Sequence, residues 1–213
     1  MSETDEQPPP GGIAVPDEEL DARWTNAWTP PQVADRLVNV GVPWWVVGGW
    51  ALDLFRGEQS RDHEDIEIVV PAPFFPQIRA AFSDFEFDAV GSGLVWTDPS
   101  KEVMAATWQT WIRDPVTDHY LIDVMRNPHQ DQTWIYRRHQ DLRLPYSQAI
   151  GHTADGIPYL APELVLLFKA KAARPKDQKD FTATLPLLDP GRQAILRSLL
   201  TRYHPEHPWL ANL

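Results

Sequence analysis

The feature that most constrains this chain is a diglycine that stands between two apolar stretches and is followed by a pair of acids. Gly48-Gly49 comes directly after the apolar run 44–47, and an acid, apolar, acid triplet begins 16 positions beyond Gly49. The run before the diglycine is typical of a short strand, and the spacing after it predicts a helix over 50–55. A strand, a turn and a helix followed by a second strand favour an α/β arrangement.

Gly48 and Gly49 have a chemical use at such a junction. Without a Cβ, the backbone can approach a phosphate oxygen closely, and the following helix directs its positive end to the same place. The diglycine therefore predicts a phosphate-binding turn. The alternative is an ordinary tight turn with no ligand.

Asp65 and Glu67 form the acidic pair. Side chains two positions apart on a strand project from the same face, so the two carboxylates are expected to lie together. Their repulsion would be relieved by a cation, and hard oxygen ligands suit Mg²⁺ or Mn²⁺, which can also bridge substrate phosphates. A solvated strand edge is the alternative interpretation.

A site with two metal ions needs a further carboxylate, for which Asp123 is the strongest candidate. It stands among the apolar residues of the predicted strand 119–125. A buried carboxylate has a solvation cost that a metal ion would offset. The rivals Asp114 and Asp118 lie near Pro115 and have the pattern of turn residues.

Several basic residues and one hydroxyl could contact phosphate. Arg61 and Ser60 stand just before the acidic pair, where an arginine could neutralise charge on a leaving pyrophosphate. Lys169 and Lys176 belong to a basic cluster over 169–179 and could reach the nucleotide from the C-terminal part. The alternative for this cluster is a solvated helix face, and its charge also keeps an RNA substrate open.

The rest of the pattern predicts a mixed β-sheet flanked by helices, with a helical C-terminal part. Helices are expected over 30–40, 74–82, 161–175 and 190–203. Strands are expected at 44–47, 63–70, 94–97, 105–112 and 119–125, with a further one at 134–138. The expected organisation is a mobile, acidic, proline-rich tail over 1–28, a mixed-sheet domain over 29–158 and a helical region over 159–213.

Charge and composition exclude some classes of protein. The net charge is −11, but seven acids lie within 1–22, so the remaining chain carries only −4 and gives no general support to nucleic-acid binding. The absence of cysteine excludes disulfides and thiolate zinc sites. No apolar run approaches a membrane span, and the acidic N-terminus does not resemble a signal peptide, so we expect a soluble, cytoplasmic protein.

The motifs together resemble a known family. The segments 45–53 (WVVGGWALD) and 60–67 (SRDHEDIE) closely resemble the signature of the aminoglycoside 2''-O-adenylyltransferases, members of the polymerase-β-like nucleotidyltransferase superfamily. Weaker similarity extends to LAPEL at 160–164, to the acids Asp177 and Asp180, and to HPW at 207–209. Glu67 stands where the aminoglycoside enzymes carry Asp, and the gap from Glu67 to Asp123 is longer than in them.

The resemblance implies a nucleotidyltransferase domain over 29–158. Gly48 and Gly49 would hold the triphosphate of ATP or another NTP, and Asp65 and Glu67 would bind Mg²⁺, with two ions expected. Asp123 would be the third acid, as metal ligand, base or both. Asp65, Glu67 and Asp123 are thus the predicted catalytic residues.

The implied reaction transfers a nucleoside monophosphate to a hydroxyl of a small acceptor. The leading acceptor class is a cationic aminoglycoside. Glu86, Asp88 and Asp98 are unranked candidates for carboxylates that would meet its ammonium groups. The alternatives are a lincosamide, a tRNA end, as in toxin-type enzymes, or a catalytically silent nucleotide-binding module. The oligomeric state is left open.

Overall fold

Eleven strands occur in the part of the chain that the computed structural model describes, residues 8–213. They are β1 (Trp45–Val46), β2 (Glu67–Pro71), β3 (Glu86–Gly91), β4 (Leu94–Trp96), β5 (Gln109–Arg113), β6 (Tyr120–Asn127), β7 (His129–Gln130), β8 (Thr133–Ile135), β9 (Arg143–Pro145), β10 (Ile150–His152) and β11 (Pro158–Leu160). Eight strands form one sheet in the order β10-β11-β1-β2-β6-β5-β3-β4, and β7-β8-β9 form a second.

Nine α-helices accompany these strands within the same residues. They are α1 (Asp17–Arg23), α2 (Pro30–Leu37), α3 (Gly48–Arg56), α4 (Phe75–Ala81), α5 (Lys101–Ala106), α6 (Tyr146–Ala149), α7 (Pro162–Ala170), α8 (Pro175–Thr184) and α9 (Pro190–Tyr203). None of them has the length and apolarity needed to span a membrane. The predicted fold class, a mixed sheet with helices and a helical C-terminal part, is confirmed.

The centre of the large sheet combines both kinds of strand pairing. β2 runs parallel to β6, with Glu67 opposite Asp123, and antiparallel to β1, with Ile68 opposite Val46. Ile66, Ile68 and Val124 are fully buried, which matches the continuous apolar character of this stretch of sequence. This arrangement fixes the register of the two acid-bearing strands.

Three predicted strands differ clearly from the observed ones, and the one predicted at 134–138 is β8, which ends at Ile135. The strand predicted over 105–112 begins only at Gln109, because Lys101–Ala106 form α5, whose N-cap Ser100 accepts a hydrogen bond from the Val103 backbone N–H. A serine cap before a short apolar stretch favours a helix over a strand. The strand predicted over 63–70 begins at Glu67, with Asp65 in the extended segment before it.

The region predicted as a tail, 1–28, contains structure in its described part. α1 lies within it, and Ile13 and Val95 exchange two backbone hydrogen bonds of 2.9 Å at β4. Residues 1–7 lie outside the described residues. The division into tail, mixed-sheet domain and helical region stays a prediction.

An aromatic stack joins α8 to the C-terminal segment of the chain. Phe181 of α8 and Trp209 have ring centroids 4.2 Å apart with an interplanar angle of 5°. Trp209 is 1% exposed, and its indole N–H donates to Gln178 Oε1 at 2.7 Å. The last residues of the chain therefore help to hold α8 in place.

We expect Trp209→Ala to lower the free energy of unfolding by about 3–5 kcal/mol, because it removes a buried aromatic ring and leaves a cavity against Phe181. Urea denaturation followed by circular dichroism measures this change. Val116→Ala, at a residue 89% exposed, is the control and should change stability by less than about 0.5 kcal/mol. Similar small losses in both variants would contradict a stabilising role for the stack.

Candidate active site

The diglycine joins β1 to α3 and lies against the acidic strand. Gly48 has φ +66°, a left-handed conformation that favours glycine, and a Cβ there would overlap Glu67 Oε2. A Cβ on Gly49 would stand 2.5 Å from Arg61 Nη2 and 2.6 Å from His63 Cε1. Both glycines thus allow the turn to approach the side chains that surround it.

Three carboxylates meet beside this turn. Glu67 and Asp123 are opposite each other on the parallel strands β2 and β6, and Asp65 precedes Glu67 by two positions. One ligand oxygen from each residue lies within 4.8 Å of the others. The structure therefore brings together the three acids that the sequence nominated.

The environment of these acids favours their protonated forms in the absence of a cation. Burial, with added repulsion from Asp65, raises the pKa of Glu67 to about 7. Burial and the nearby Glu67 raise the pKa of Asp123 well above its usual range, and burial also raises the pKa of Asp65. Close carboxylates with raised pKa values are typical of catalytic or metal sites.

The donor set fits a divalent cation. Gln109 donates a hydrogen bond to Asp123 Oδ2, whereas Asp123 Oδ1 is buried without a hydrogen-bond partner. A metal ion would satisfy this oxygen and offset the repulsion among the three acids. Oxygen-only ligands are suited to Mg²⁺ or Mn²⁺.

Ser60 and His63 are held by a buried aspartate that sequence reasoning did not nominate. Asp53 of α3 is 4% exposed and accepts hydrogen bonds from Ser60 N at 3.1 Å, Ser60 Oγ at 2.5 Å and His63 Nε2 at 2.6 Å. These bonds fix the loop that carries Arg61 and Asp65. The phosphate contact predicted for Ser60 stays a prediction, and its hydroxyl is already bonded to Asp53.

Five side chains form an alternating series of cations and anions next to the diglycine, which we call the ionic chain. It runs in the order Arg61, Asp180, Lys169, Asp177 and Arg174. Arg61 Nε lies 3.3 Å from Asp180 Oδ1, and Lys169 Nζ lies 2.9 Å from Asp180 Oδ2 and 2.8 Å from Asp177 Oδ1. Arg174 Nε donates to Asp177 Oδ2 at 2.9 Å. Arg61 and Lys169 thus contact the same carboxylate, that of Asp180.

Lys176 lies outside the ionic chain, at the rim of the site. Its Nζ donates to Glu64 Oε2 at 3.1 Å, and its charge opposes the rise in the pKa of Asp65. The positions of Lys176, Lys169 and Arg61 place positive charge around the carboxylates. Their contacts with phosphate stay predictions.

A cavity of about 450 Å³ opens from Gly48 and Glu67 along β2 and β6. Apolar residues that include Val69, Met125 and Phe168 line it, together with five cationic side chains: Arg137, Arg138, Lys169, Lys171 and Arg174. A volume of this size is typical of small-molecule sites. The cavity is therefore suited to a ligand with both an apolar part and negative charge.

The acids nominated for a cationic acceptor lie elsewhere. Asp88 is fully buried, and its Oδ2 accepts from Arg113 Nε at 3.0 Å and from the Tyr120 hydroxyl at 3.1 Å, whereas its Oδ1 has no hydrogen-bond partner. Glu86 also binds Arg113, and Asp98 lies in the turn after β4. None of the three lines the cavity.

In the sequence analysis, Asp177 and Asp180 appear only as part of a resemblance. Their signal was present in the pattern. Acids three positions apart on a helix share one face, and Asp180 directly precedes the apolar Phe181. This spacing predicts that both carboxylates turn toward the protein.

Residues 31–113 match the model of a family described as aminoglycoside-2''-adenylyltransferase. The matched segment contains the diglycine, Asp65 and Glu67. Over this segment the chain is similar to a family of nucleotidyltransferases. The resemblance seen in the sequence is thereby confirmed over the matched segment. No curated protein matches this chain.

Solved structures with the same fold include two antibiotic-modifying enzymes. The lincosamide antibiotic adenylyltransferase LnuA with bound lincomycin is 19% identical, with a TM-score of 0.52 over 74% of this chain and 96% of LnuA. ANT(2'')-Ia in complex with adenylyl-2''-tobramycin is 16% identical, with a TM-score of 0.54 over 81% of this chain and 95% of that one. These similarities confirm the nucleotidyltransferase fold.

We expect Glu67→Gln to stabilise the metal-free protein at pH 8, raising its Tm by about 3 °C or more. The pKa of Glu67 is raised in the folded state, so its contribution to stability is present below about pH 4.5 and is lost as the pH rises toward 7. The glutamine carries no charge and avoids this loss. Thermal melts at pH 5 and pH 8, with and without Mg²⁺, measure the effect.

Mg²⁺ should raise the Tm of the wild type at pH 8 and leave the Glu67→Gln variant nearly unchanged. Glu163→Gln is the control, because Glu163 is also buried but pairs with Arg192 at 2.7 Å instead of with other acids. This control should lose stability and keep the response to Mg²⁺. An equal response to Mg²⁺ in the wild type and in Glu67→Gln would contradict the assignment of Glu67 as a ligand.

We expect Gly48→Ala to abolish stabilisation by Mg²⁺, because its methyl group would displace the Glu67 carboxylate. Gly57→Ala is a matched control, since Gly57 has φ +79° but no atom within 4 Å of the added Cβ. Both variants should lose about 1 kcal/mol through backbone strain. Calorimetric titration with Mn²⁺ distinguishes them, and normal Mn²⁺ binding by Gly48→Ala would be inconsistent with this geometry.

Proposed function

We propose that this nucleotidyltransferase transfers AMP from ATP to a hydroxyl group of a small acceptor, with an aminoglycoside as the first acceptor class. The observation that carries the proposal is the meeting of Asp65, Glu67 and Asp123 within 4.8 Å beside the diglycine. The diglycine, proposed to bind phosphate, and the three acids, proposed to bind a metal ion, therefore lie side by side. A cytoplasmic location, where ATP is available, is part of the proposal.

The chain's own groups have distinct tasks in this reaction. The backbone at Gly48 and Gly49, at the positive end of α3, would hold the terminal phosphates, and Arg61 and Lys169 would neutralise the leaving pyrophosphate. Mg²⁺ bound by Asp65, Glu67 and Asp123 would lower the pKa of the acceptor hydroxyl and polarise the α-phosphate. The hydroxyl oxygen bonds to the α-phosphorus as the bond to the β-phosphate oxygen breaks.

Asp123 is our candidate for the group that accepts the hydroxyl proton. Its carboxylate lies within 4.8 Å of those of Asp65 and Glu67, where the acceptor hydroxyl would meet the metal ion. Gln109 holds one of its oxygens and leaves the other without a protein partner. The geometry thus supports a role for Asp123 as both ligand and base.

The distribution of charge favours different binding places for the nucleotide and for the acceptor. Five cationic side chains line the cavity, which suits the phosphates of the nucleotide and disfavours an acceptor that carries several ammonium groups. Asp62 and Glu64, which both precede Asp65, are exposed and offer carboxylates on the side of the site that faces the solvent, where Glu64 also pairs with Lys176. We therefore propose that a cationic acceptor approaches from that side.

Incubation with labelled ATP, Mg²⁺ and one acceptor at a time tests the proposal. The acceptors are tobramycin, kanamycin, lincomycin and total tRNA, and mass spectrometry locates the label. AMP on an aminoglycoside supports the proposal, label on lincomycin or tRNA replaces the acceptor class, and no pyrophosphate release with any acceptor favours a silent nucleotide-binding module.

We expect Asp123→Asn to lower kcat/KM for this transfer by about 10²–10⁴-fold, because it removes a ligand and the proton acceptor. Asp114→Asn is the control. Asp114 is a partly exposed residue just before a turn; it accepts a hydrogen bond from Val116 N at 2.8 Å and has no contact with the site. Comparable rates for Asp123→Asn and the wild type would remove Asp123 from the mechanism.

A further inference from the structure

The ionic chain joins two segments that are distant in sequence. Arg61 precedes β2, whereas Lys169 lies in the last turn of α7 and Asp180 belongs to α8. The Asp180 carboxylate contacts both cations, Arg61 Nε at 3.3 Å and Lys169 Nζ at 2.9 Å. One buried acid therefore sets the distance between two cations that come from different parts of the fold.

These two cations lie where a triphosphate would meet the diglycine. Arg61 Nη2 is 2.5 Å from the position of a Cβ on Gly49, so its guanidinium covers that glycine. Lys169 lines the same cavity as Gly48 and Glu67. A ligand bound at the start of α3 would therefore be near both positive charges.

The two acids of the ionic chain are buried and carry their negative charges. Asp180 is 7% exposed and Asp177 is 2% exposed, and hydrogen bonds from Lys169 and Arg61 outweigh the effect of burial and lower the pKa of Asp180. Both acids are thus charged at neutral pH. The ionic chain has three cations and two anions, so it keeps one net positive charge for an anionic ligand.

We propose that Asp180 is a positioning residue for nucleotide binding: it holds Arg61 and Lys169 beside Gly48-Gly49 so that both meet the β- and γ-phosphates. This inference rests on the proposed function. Asp180 is a better subject for a test than Asp177, because Asp177 also accepts the Arg174 backbone N–H at 3.0 Å and so caps α8. A substitution of Asp177 would mix the two roles.

The test compares Asp180→Asn with the wild type by calorimetric titration of ATP and of AMP, each with Mg²⁺ and without acceptor. The variant should bind ATP about tenfold more weakly, the loss expected when a charge-assisted contact is misplaced. Its affinity for AMP should change less than threefold, because AMP lacks the β- and γ-phosphates. In the transfer assay, KM for ATP should rise more than kcat falls.

Glu163→Gln is the matched control for the effect of losing a buried acid. Glu163 is 4% exposed, lies on α7 with Lys169, and pairs with Arg192 through both carboxylate oxygens at 2.7 and 2.8 Å, away from the cavity. It should lose stability and keep its affinity for ATP. Unchanged ATP binding by Asp180→Asn, or equal losses for ATP and AMP, would overturn the positioning role.

A second variant covers the case in which Asp180→Asn does not fold. Arg61→Gln alters a side chain that is 28% exposed and should also weaken ATP binding more than AMP binding, whereas equal effects would count against the inference. A wild type that binds no ATP would overturn the proposed function itself. If the wild type and the variants all bind ATP equally well, only the role of Asp180 is refuted.

Discussion

The repulsion among three close carboxylates is the constraint on which the rest of this site depends. Parallel pairing of β2 with β6 places Glu67 opposite Asp123, and the chain direction brings Asp65 to the same point. Burial raises the pKa values of all three, because each charged form loses solvation and repels its neighbours. In the proposed reaction, a divalent cation would offset this repulsion.

Cationic side chains around the three carboxylates balance part of this concentrated negative charge. The Gly48 turn approaches Glu67 closely, and the ionic chain brings three cations from α7, the N-cap of α8 and the loop before β2. Phosphate groups are bound by positive charge and backbone N–H groups, while a metal ion is bound by carboxylates. Both kinds of group lie beside the Gly48 turn, which is consistent with the proposed nucleotide transfer.

The row of residues across the sheet extends the site beyond the family signature. Asp123 is opposite Trp111 on β5, and Trp111 is opposite Asp88 on β3, so these side chains share the face that carries Glu67. Trp24, which follows α1, packs edge-on against Trp111 at 5.5 Å. The N-terminal segment therefore contributes to the face on which the carboxylates lie.

The sequence by itself determined the local parts: the strand, glycine turn and helix, the acid triplet, and Asp123 within an apolar strand. These features follow from the spacing of apolar and acidic side chains and from the conformational freedom of glycine, which both act over a few residues. Only the tertiary structure decided that Glu67 pairs with Asp123 across 56 positions, that Asp53 holds Ser60 and that Asp180 joins Arg61 to Lys169. Strand order and helix packing create such contacts, and no short-range pattern in the chain encodes them.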